Sequence, residues 1–371
     1  MRRLSDEVFH ELPERLERIL NNVEISMSMF KDSFDWKELP KPKIRKAFGV
    51  DGSRSIERRS GVVVYAVSSV GIGDRILELH DLSVIEPFKH IEKRVEIHMQ
   101  TNEARIGIFA DGLVILDGAL SNVLFLIKKP KTFELYQTEI LQNLNDKKLK
   151  IVNDFRNELD DWIESLREDV TRGLSQRRTL LSRDKDYDMK ILLEFVEFLH
   201  SYDRLLEKPI VTIAKNVYES RLSHFFKNMY SVTDQTLVDH LVTKEFGFEK
   251  AGYFEFSYEE IGRCDNKIKV LIEELELRNL KRLKVHPCYI RLRDYGNVYL
   301  LESNVNLKEV LPIIIGLETD GYIFPLIHAH RYAEIKRREM KAMMVAVMNS
   351  LADKPKFRIL LKHPRGPLDE F

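Results

Sequence analysis

The chain of 371 residues is predicted to be an α/β protein in which a mixed sheet is flanked by helices and interrupted by a helical insertion. Short β-branched runs bounded by glycine or proline predict the strands, and a segment of helix formers separates the third from the fourth. A charged stretch with long helical spacing predicts the insertion. We therefore divide the chain into 1–129 (first part of the core), 130–208 (insertion) and 209–371 (second part of the core with a final helix).

The first part of the core begins with an amphipathic helix and then runs strand, strand, strand, helix, strand. In order, these elements are a helix in 5–30, a short strand in KPKIRKAFGVDGS (41–53), strands in GVVVYAVSSVGIG (61–73) and ILELHDLSVIEP (76–87), a helix in 89–106 and a strand in GLVILDGAL (112–120). The run ILELHDLSVIEP alternates like a half-buried strand, and the three successive strands together suggest an antiparallel meander.

The second part of the core returns to strands after the insertion. In order, we predict a strand in PIVTIAK (209–215), polar and mainly helical segments that include Asp234 and Asp239, strands in HPCYIRL (286–292) and NVYLLES (297–303), a helix in LKEVLPIIIGL (307–317), a turn in TDGYIFP (319–325) and one final helix over 326–351.

Composition limits the classes of function. Acidic and basic residues both total 59, so a nucleic-acid-binding surface would have to be local. Cys264 and Cys288 cannot form a disulfide framework or a four-cysteine zinc site, and we expect reduced thiols. The N-terminus does not resemble a secretory signal, and no apolar run approaches the roughly 18 residues of a membrane span. A cytoplasmic protein without membrane contact is the expectation.

Two aspartates sit at strand ends beside glycine. Asp51 precedes Gly52, and Asp117 precedes Gly118. Each Asp-Gly alone is more often only a turn. The order of aspartate strand, two strands, helix and aspartate strand is, however, the ribonuclease-H-like arrangement. Carboxylates there favour Mg²⁺ or Mn²⁺, and two ions about 3.5–4 Å apart would bracket the water and leaving oxygen of a phosphodiester.

A helix acid should join the two aspartates. We choose Glu96, 21 residues before Asp117. Glu92 and Glu103 share its helical face one turn earlier and two turns later, so either could substitute. A single helical glutamate is nevertheless more often a solvated charge.

The segment GYIFPLIHAHRYAEI supplies histidines at the start of the final helix. His328 and His330 are two apart and so face different directions on a helix, which means that both cannot chelate one metal. One imidazole could bind metal or assist proton transfer, although a helical histidine is ordinarily a packed or surface residue.

These motifs together resemble the NurA family, the archaeal and bacterial nuclease partner of the HerA translocase. FGVDGS, VILDGALS, IAK and GYIFPLIHAHRYAEI occur in the family's order across residues 45–335. The resemblance implies a homodimer with 5′–3′ exonuclease and single-strand endonuclease activity that depends on manganese. It also implies end resection at DNA double-strand breaks with a HerA-type hexamer, and makes the archaeal break-processing recombination complex a candidate partner.

The resemblance also implies roles for single residues. Asp51, Asp117 and His330 would bind metal, with Glu96 as the helix acid, and Tyr322 would line the active site. Lys215 would contact the scissile phosphate or its neighbour. Asp234 matches a position where the family often has an acid, without an assignable role. The sequence departs from the family in reading Tyr-Ile-Phe-Pro before the histidine, and His328 leaves the histidine ligand ambiguous by two residues.

Basic residues near Asp51 could guide a DNA strand. Arg54, Arg58 and Arg59 follow it, and phosphate contacts of this kind ignore sequence and depend on salt. A solvated face balanced by acids is an equal alternative. For the whole protein, the alternatives are a non-catalytic structural or adaptor subunit of a repair complex and a different ribonuclease-H-like nuclease, such as an Argonaute-like slicer or a resolvase.

Overall fold

The structure, a computed structural model, describes residues 12–21, 24, 34–86, 90–123, 145–172, 187–215, 222, 233–257, 271–351 and 353–362. The named strands are β1 Ala47–Arg58, β2 Val63–Ile72, β3 Ile76–Ile85, β4 Leu113–Asp117, β5 Ile210–Ala214, β6 Gly252–Glu255, β7 His286–Arg291, β8 Val298–Ser303, β9 Glu318–Thr319 and β10 Tyr322–Ile323. The named helices are α1 Ile91–Phe109, α2 Leu120–Val123, α3 Asp146–Ser165, α4 Arg167–Arg172, α5 Tyr187–Leu205, α6 Asp234–Phe246, α7 Arg278–Arg282, α8 Leu307–Gly316, α9 Phe324–Ala333, α10 Arg337–Ser350 and α11 Pro355–Leu360.

Eight strands form one mixed sheet in the order β3-β2-β1-β4-β5-β8-β7-β6. β1, β4 and β5 are parallel to one another at its centre. The β1–β2–β3 meander is antiparallel, as its alternation suggested. β5, β8, β7 and β6 continue the sheet antiparallel on the other side. The chain is therefore α/β with a large mixed sheet flanked by helices.

Different helices cover the two faces of the sheet. Phe48, Val50, Val114 and Leu116 pack into a core with α1, α3 and α5. Residues of the opposite parity on β1 and β4, such as Ala47 and Ile115, pack with α8 and the start of α9. Side chains alternate between faces along a strand, so odd-numbered residues of β1 and β4 point toward α9 and even-numbered ones toward α1.

The prediction of a single final helix over 326–351 is wrong, because two helices separate at residues 334–336. Glu334 leaves the helical conformation, with φ −55° and ψ 117°. The backbone N–H of Ile335 then donates to the hydroxyl of Ser53 at 3.0 Å. A capping box between Lys336 and Glu339 starts α10. The break thus follows from contact with β1 rather than from a local helix breaker.

The other predicted elements are present where the structure describes them, but β1 continues to Arg58, so the expectation that Asp51 ends a strand is wrong. The structure also adds α2, the β9–β10 pair, α11 and the strand β6. The segment before residue 286 was predicted to be helical, but Gly252–Glu255 forms the edge strand β6 through pairing with β7. Of the predicted N-terminal helix in 5–30, residues 12–21 and 24 are described and helical.

The predicted insertion is helical at 145–172 and 187–205. Its helices α3 and α5 contribute to the same core as α1 and β1. The domain boundaries at 130 and 208 stay a prediction. In the part of the chain that the structure describes, no helix is both long and apolar enough to span a membrane.

Candidate active site

Asp51 and Asp117 lie side by side on neighbouring strands. Their preceding residues, Val50 and Leu116, are register partners in the parallel β1–β4 pair. Adjacent strands are about 4.8 Å apart, and both aspartates have the parity that faces α9. Asp51 is buried, with 6% of its surface exposed. Burial and the charge of Asp117 raise the pKa of Asp51. Two acids 66 positions apart in the sequence, at 51 and 117, therefore share one space.

His330 on α9 contacts Asp51 directly. Its Nδ1 lies 2.7 Å from Oδ2 of Asp51, and this hydrogen bond favours the ionised carboxyl. The contact depends on the close approach of α9 to β1 at Gly49. A Cβ there would lie 2.5 Å from the backbone of Pro325 and Leu326, so any larger residue would push the helix away.

Lys215 and Tyr322 complete the same side of the site. The ammonium of Lys215 donates to Oδ2 of Asp117 at 2.8 Å and lies 4.7 Å from the ring centre of Tyr322. The hydroxyl of Tyr322 is buried and has no hydrogen-bond partner in the described part of the chain. Burial and the charges of Asp117 and Asp51 raise the pKa of Tyr322, so its hydroxyl stays protonated.

A third acid reaches the site from the opposite face of the sheet. A Cβ at Gly52 would lie 2.5 Å from Oε1 of Glu103 on α1, which means that the missing side chain makes room for this carboxylate against β1. Glu103 is 7% exposed. Burial, followed by the charges of Asp51, Asp117 and Glu96, raises its pKa well above the usual value. Glu103 is therefore the acid of α1 whose pKa is raised by the charges of both aspartates.

Glu96, our choice from the sequence, occupies a different environment. It pairs with Lys93 at 3.0 Å and with Arg54 at 3.8 Å. Glu92 is further along α1 and pairs with Arg58 at 3.1 Å. The geometry favours Glu103 over Glu96 because Glu96 is already neutralised by two cations.

The three arginines that follow Asp51 are also paired with acids or the helix backbone. Arg54 donates to the carbonyl of Glu92, and Arg59 pairs with Glu57 at 3.1 Å. Arg58 is seven residues from Asp51 along β1, which at about 3.3 Å per residue places it roughly 23 Å away. Of the three arginines, Arg54 is the nearest to Asp51 along β1.

Residues that the sequence did not single out hold the turn after Asp117. Thr212 accepts a hydrogen bond from the N–H of Leu120 at 3.1 Å. Glu302, fully buried on β8, accepts one from the N–H of Ser121 at 2.9 Å and another from its hydroxyl. The sequence signal that could have identified Glu302 is its position as an acid inside the otherwise apolar strand VYLLES. These contacts fix the backbone that carries Asp117.

Two other sequence candidates have their own contacts elsewhere. Asp234 is buried and accepts hydrogen bonds from the N–H of Leu222 at 2.8 Å and the hydroxyl of Tyr289 at 2.6 Å, which indicates a structural role. The ring of His328 contacts that of Phe324 at a tilt of 58°, with 4.4 Å between ring centres, whereas His330 contacts Asp51. The geometry thus favours His330 as the site histidine.

The donor set suits a hard divalent cation, although the side chains are not arranged around one. Carboxylates and one imidazole are ligands of Mg²⁺ and Mn²⁺. Within the described ranges, no three acidic, histidine or cysteine side chains are oriented so that they could hold a metal ion together. Lys215 and His330 engage one oxygen each of Asp117 and Asp51. A cation would compete with these two contacts.

Comparisons with known proteins agree with the resemblance noted in the sequence. The sequence model of the NurA domain matches residues 45–335. The DNA double-strand break repair nuclease NurA of Pyrococcus furiosus is 25% identical, with 100% of both chains covered. A probable nuclease of the same name from Methanocaldococcus jannaschii is 23% identical, over 90% of this chain and 85% of the relative.

Solved structures share the fold. A crystal structure of NurA superposes with a TM-score of 0.76 at 22% identity, covering 94% of this chain and 98% of the other. Another NurA structure, bound to dAMP and manganese, gives 0.75 at 21% identity and the same coverage. The NurA nuclease from Sulfolobus solfataricus gives 0.64 at 17%, again over 94% of this chain and 98% of that one. Because the domain match spans most of the chain, this protein belongs to the NurA family of DNA double-strand break repair nucleases.

Proposed function

We propose that this chain hydrolyses DNA phosphodiesters with divalent metal at the Asp51–Asp117–Glu103 cluster. The observation that carries the proposal is the convergence of three acids from separate elements, two of which have a raised pKa from burial and mutual repulsion. Uncompensated buried acids are unfavourable unless a cation neutralises them. The proposed cofactor is Mn²⁺, with Mg²⁺ as the alternative and two ions per site.

Bound cations would supply an activated water and neutralise the departing 3′ oxygen. The side chains of this chain do the rest. Asp51, held by His330, and Asp117 would present oxygens on the α9 face, and Glu103 would present its own through the gap at Gly52. His330 is proposed as a metal ligand once its contact with Asp51 is exchanged.

Lys215 and Tyr322 are proposed to receive the phosphate. Once Asp117 engages a cation, the ammonium of Lys215 can turn toward an equatorial phosphate oxygen, where it offsets the charge of the transition state. The hydroxyl of Tyr322, protonated and without a partner, can donate to another oxygen. Arg54 would contact a neighbouring phosphate, whereas Arg58 and Arg59 are left out because of their distance and acidic partners.

The finer biology rests on family membership. We propose a cytoplasmic 5′–3′ exonuclease and single-strand endonuclease in end resection, working as a homodimer with a HerA-type translocase and the archaeal recombination complex. The central order β3-β2-β1-β4-β5, with β1, β4 and β5 parallel, supports a ribonuclease-H-like fold.

The test compares the cleavage activities of two variants, each with one aspartate replaced at an opposite end of β4. Asp117→Asn at the carboxyl end of β4 should abolish manganese-dependent cleavage of single-stranded and duplex-end DNA. Asp111→Asn, an exposed aspartate just before β4, is the matched control and should cut normally. Chelation with EDTA should stop wild-type cleavage and Mn²⁺ should restore it. Equal cleavage by both variants would support the adaptor alternative, with any activity arising elsewhere.

RNA, junction and linear DNA should be assayed side by side. Preference for RNA or junctions would favour a different nuclease activity on the same fold. A wild type that cuts none of these substrates with Mn²⁺ would contradict the proposal.

A further inference from the structure

A cleft of about 540 Å³ opens directly beside the proposed phosphate site. Lys215 and Tyr322 line it together with Tyr295 and Asn297, which belong to the hairpin between β7 and β8. The volume lies within the roughly 300–1,000 Å³ that is usual for clefts binding small ligands. A group bound in this cleft would therefore lie next to a phosphate contacted by Lys215.

Tyr295 presents an exposed aromatic ring on a rigid backbone at this cleft. Tyr295 is 73% exposed. Its φ of 61° is uncommon for a residue other than glycine. The N–H of Tyr295 donates to the carbonyl of Glu249 at 2.8 Å, and that of Gly296 donates to the carbonyl of Arg293 at 3.1 Å. The ring of Phe248 lies 6.0 Å away, centre to centre. The ring is thus pre-positioned instead of folded into a core.

The charged lining residues distinguish one part of the cleft. Lys215 is the only cation among the described lining residues, and its ammonium lies beside the ring of Tyr322. Of the two acids in the lining, Asp239 is paired with Arg291, and Glu249 adds a negative charge that would repel a phosphate. An occupant should therefore place an anionic group at Lys215 and an uncharged, flat group toward Tyr295.

Polar groups inside the cleft also point to a ligand. Tyr322 is 9% exposed, and its hydroxyl has no hydrogen-bond partner among the residues that the structure describes. The side chain of Gln235 donates to the carbonyls of Lys215 at 2.8 Å and Val298 at 2.9 Å, which holds the wall in place. A buried hydroxyl without a partner is costly unless a ligand satisfies it.

We propose that this cleft binds one unpaired nucleobase of a single DNA strand, stacked on Tyr295, while the adjoining phosphate lies at Lys215. The inference deepens the proposed function by assigning the substrate's single-stranded character to a particular site. Stacking on an aromatic ring tolerates any base, as a repair nuclease requires. It also demands that the end of a duplex be unpaired before the strand enters.

The test uses Tyr295→Asn, since asparagine accepts the left-handed backbone and removes only the ring. Binding of a fluorescein-labelled oligothymidine is measured by anisotropy in EDTA, beside the same oligomer with one base removed at each position in turn. We expect Tyr295→Asn to raise the Kd for the intact oligomer about tenfold. Removing the base at one position should weaken wild-type binding by the same factor of about ten. The same removal should not weaken binding by Tyr295→Asn. Tyr295→Trp should bind at least as well as wild type.

The control is Phe357→Ala on α11, another partly exposed aromatic, which is not among the residues lining the cleft. It should not change the Kd. In cleavage assays Tyr295→Asn should raise KM and leave kcat within about twofold. Equal binding of both oligomers by wild type and Tyr295→Asn, alongside normal cleavage, would overturn the base site alone. Binding through Tyr295 without cleavage would overturn the proposed function and leave the base site standing.

Discussion

Two glutamates buried on neighbouring helices have opposite electrostatic environments. Glu194 on α5 receives Nε and a terminal nitrogen of Arg94 at 2.9 and 2.7 Å, and Nε2 of His98 lies 3.1 Å away. Burial alone would raise its pKa, but the charges and hydrogen bonds of His98 and Arg94 outweigh burial and lower the pKa to about 2. Glu103 on α1 is equally buried, yet its neighbours are acids, so its pKa rises well above normal.

The difference separates an acid neutralised by neighbouring cations from one whose neighbours are acids. Glu194 belongs to a neutralised contact between α1 and α5, along with the pair between Arg105 and Glu197. Glu103 lacks such compensation, and its charge is tolerable only when a proton or cation joins it. Burial alone therefore does not distinguish the two glutamates. The sign of the charges around each carboxylate distinguishes them.

Arg94→Met should give the largest effect, on stability. The substitution leaves Glu194 buried beside His98 alone, and removing one partner of a buried pair costs about 3–5 kcal/mol of unfolding free energy. Urea unfolding followed by circular dichroism measures it. Replacing both residues, with Arg94→Met and Glu194→Leu, should recover most of the loss. A single variant as stable as wild type would mean that the pair is not structural.

Glu103→Gln should reduce cleavage about a hundredfold or more without loss of stability, since it removes an uncompensated charge while keeping the shape. Glu96→Gln is the matched control two helical turns earlier on the same face of α1 and should cut within a few-fold of wild type. Initial rates on single-stranded DNA with Mn²⁺ decide between them. The opposite ranking would restore Glu96 as the helix acid.

The pH dependence of stability should differ between Glu103 and Glu194 in metal-free protein. The raised pKa of Glu103 means that its contribution is present below about 4.5 and lost as pH rises through its folded pKa. The lowered pKa of Glu194 means that its contribution is present above 4.5 and lost as pH falls through about 2.

Glu103→Gln should accordingly be more stable than wild type at neutral pH, and this advantage should shrink as pH falls toward 4.5. The slope for one proton is at most about 1.4 kcal/mol per pH unit. Urea unfolding at several pH values in EDTA measures the difference. Parallel stability curves for the two proteins would show that Glu103 carries no raised pKa.

Arg54→Gln should give the smallest effect. A single phosphate contact contributes a few-fold to DNA affinity and about one unit to the slope of log affinity against log salt. Arg58→Gln, further along β1, should change neither quantity. Salt titrations of oligothymidine binding distinguish the two, and identical slopes for both variants would remove Arg54 from the DNA path.

Local patterns predicted most strands because each is an apolar run that needs burial whatever its partners are. β6 escaped prediction since GYFE is short and becomes a strand only by pairing with β7. The break before α10 depended on Ser53, which is 282 positions from Ile335. Neither feature has a signal within its own segment.

The sequence by itself determined the family, the order of most elements and the two Asp-Gly pairs, because motifs and short-range periodicity can be recognised without knowledge of contacts. It placed both aspartates at strand ends, whereas Asp51 lies inside β1, which continues to Arg58. Only the tertiary structure decided which glutamate and which histidine face those aspartates. Positions 96 and 103 lie on the same helical face, and the choice depends on how α1 rests against Gly52. Helix orientation is set by packing between distant segments, and no local pattern encodes it.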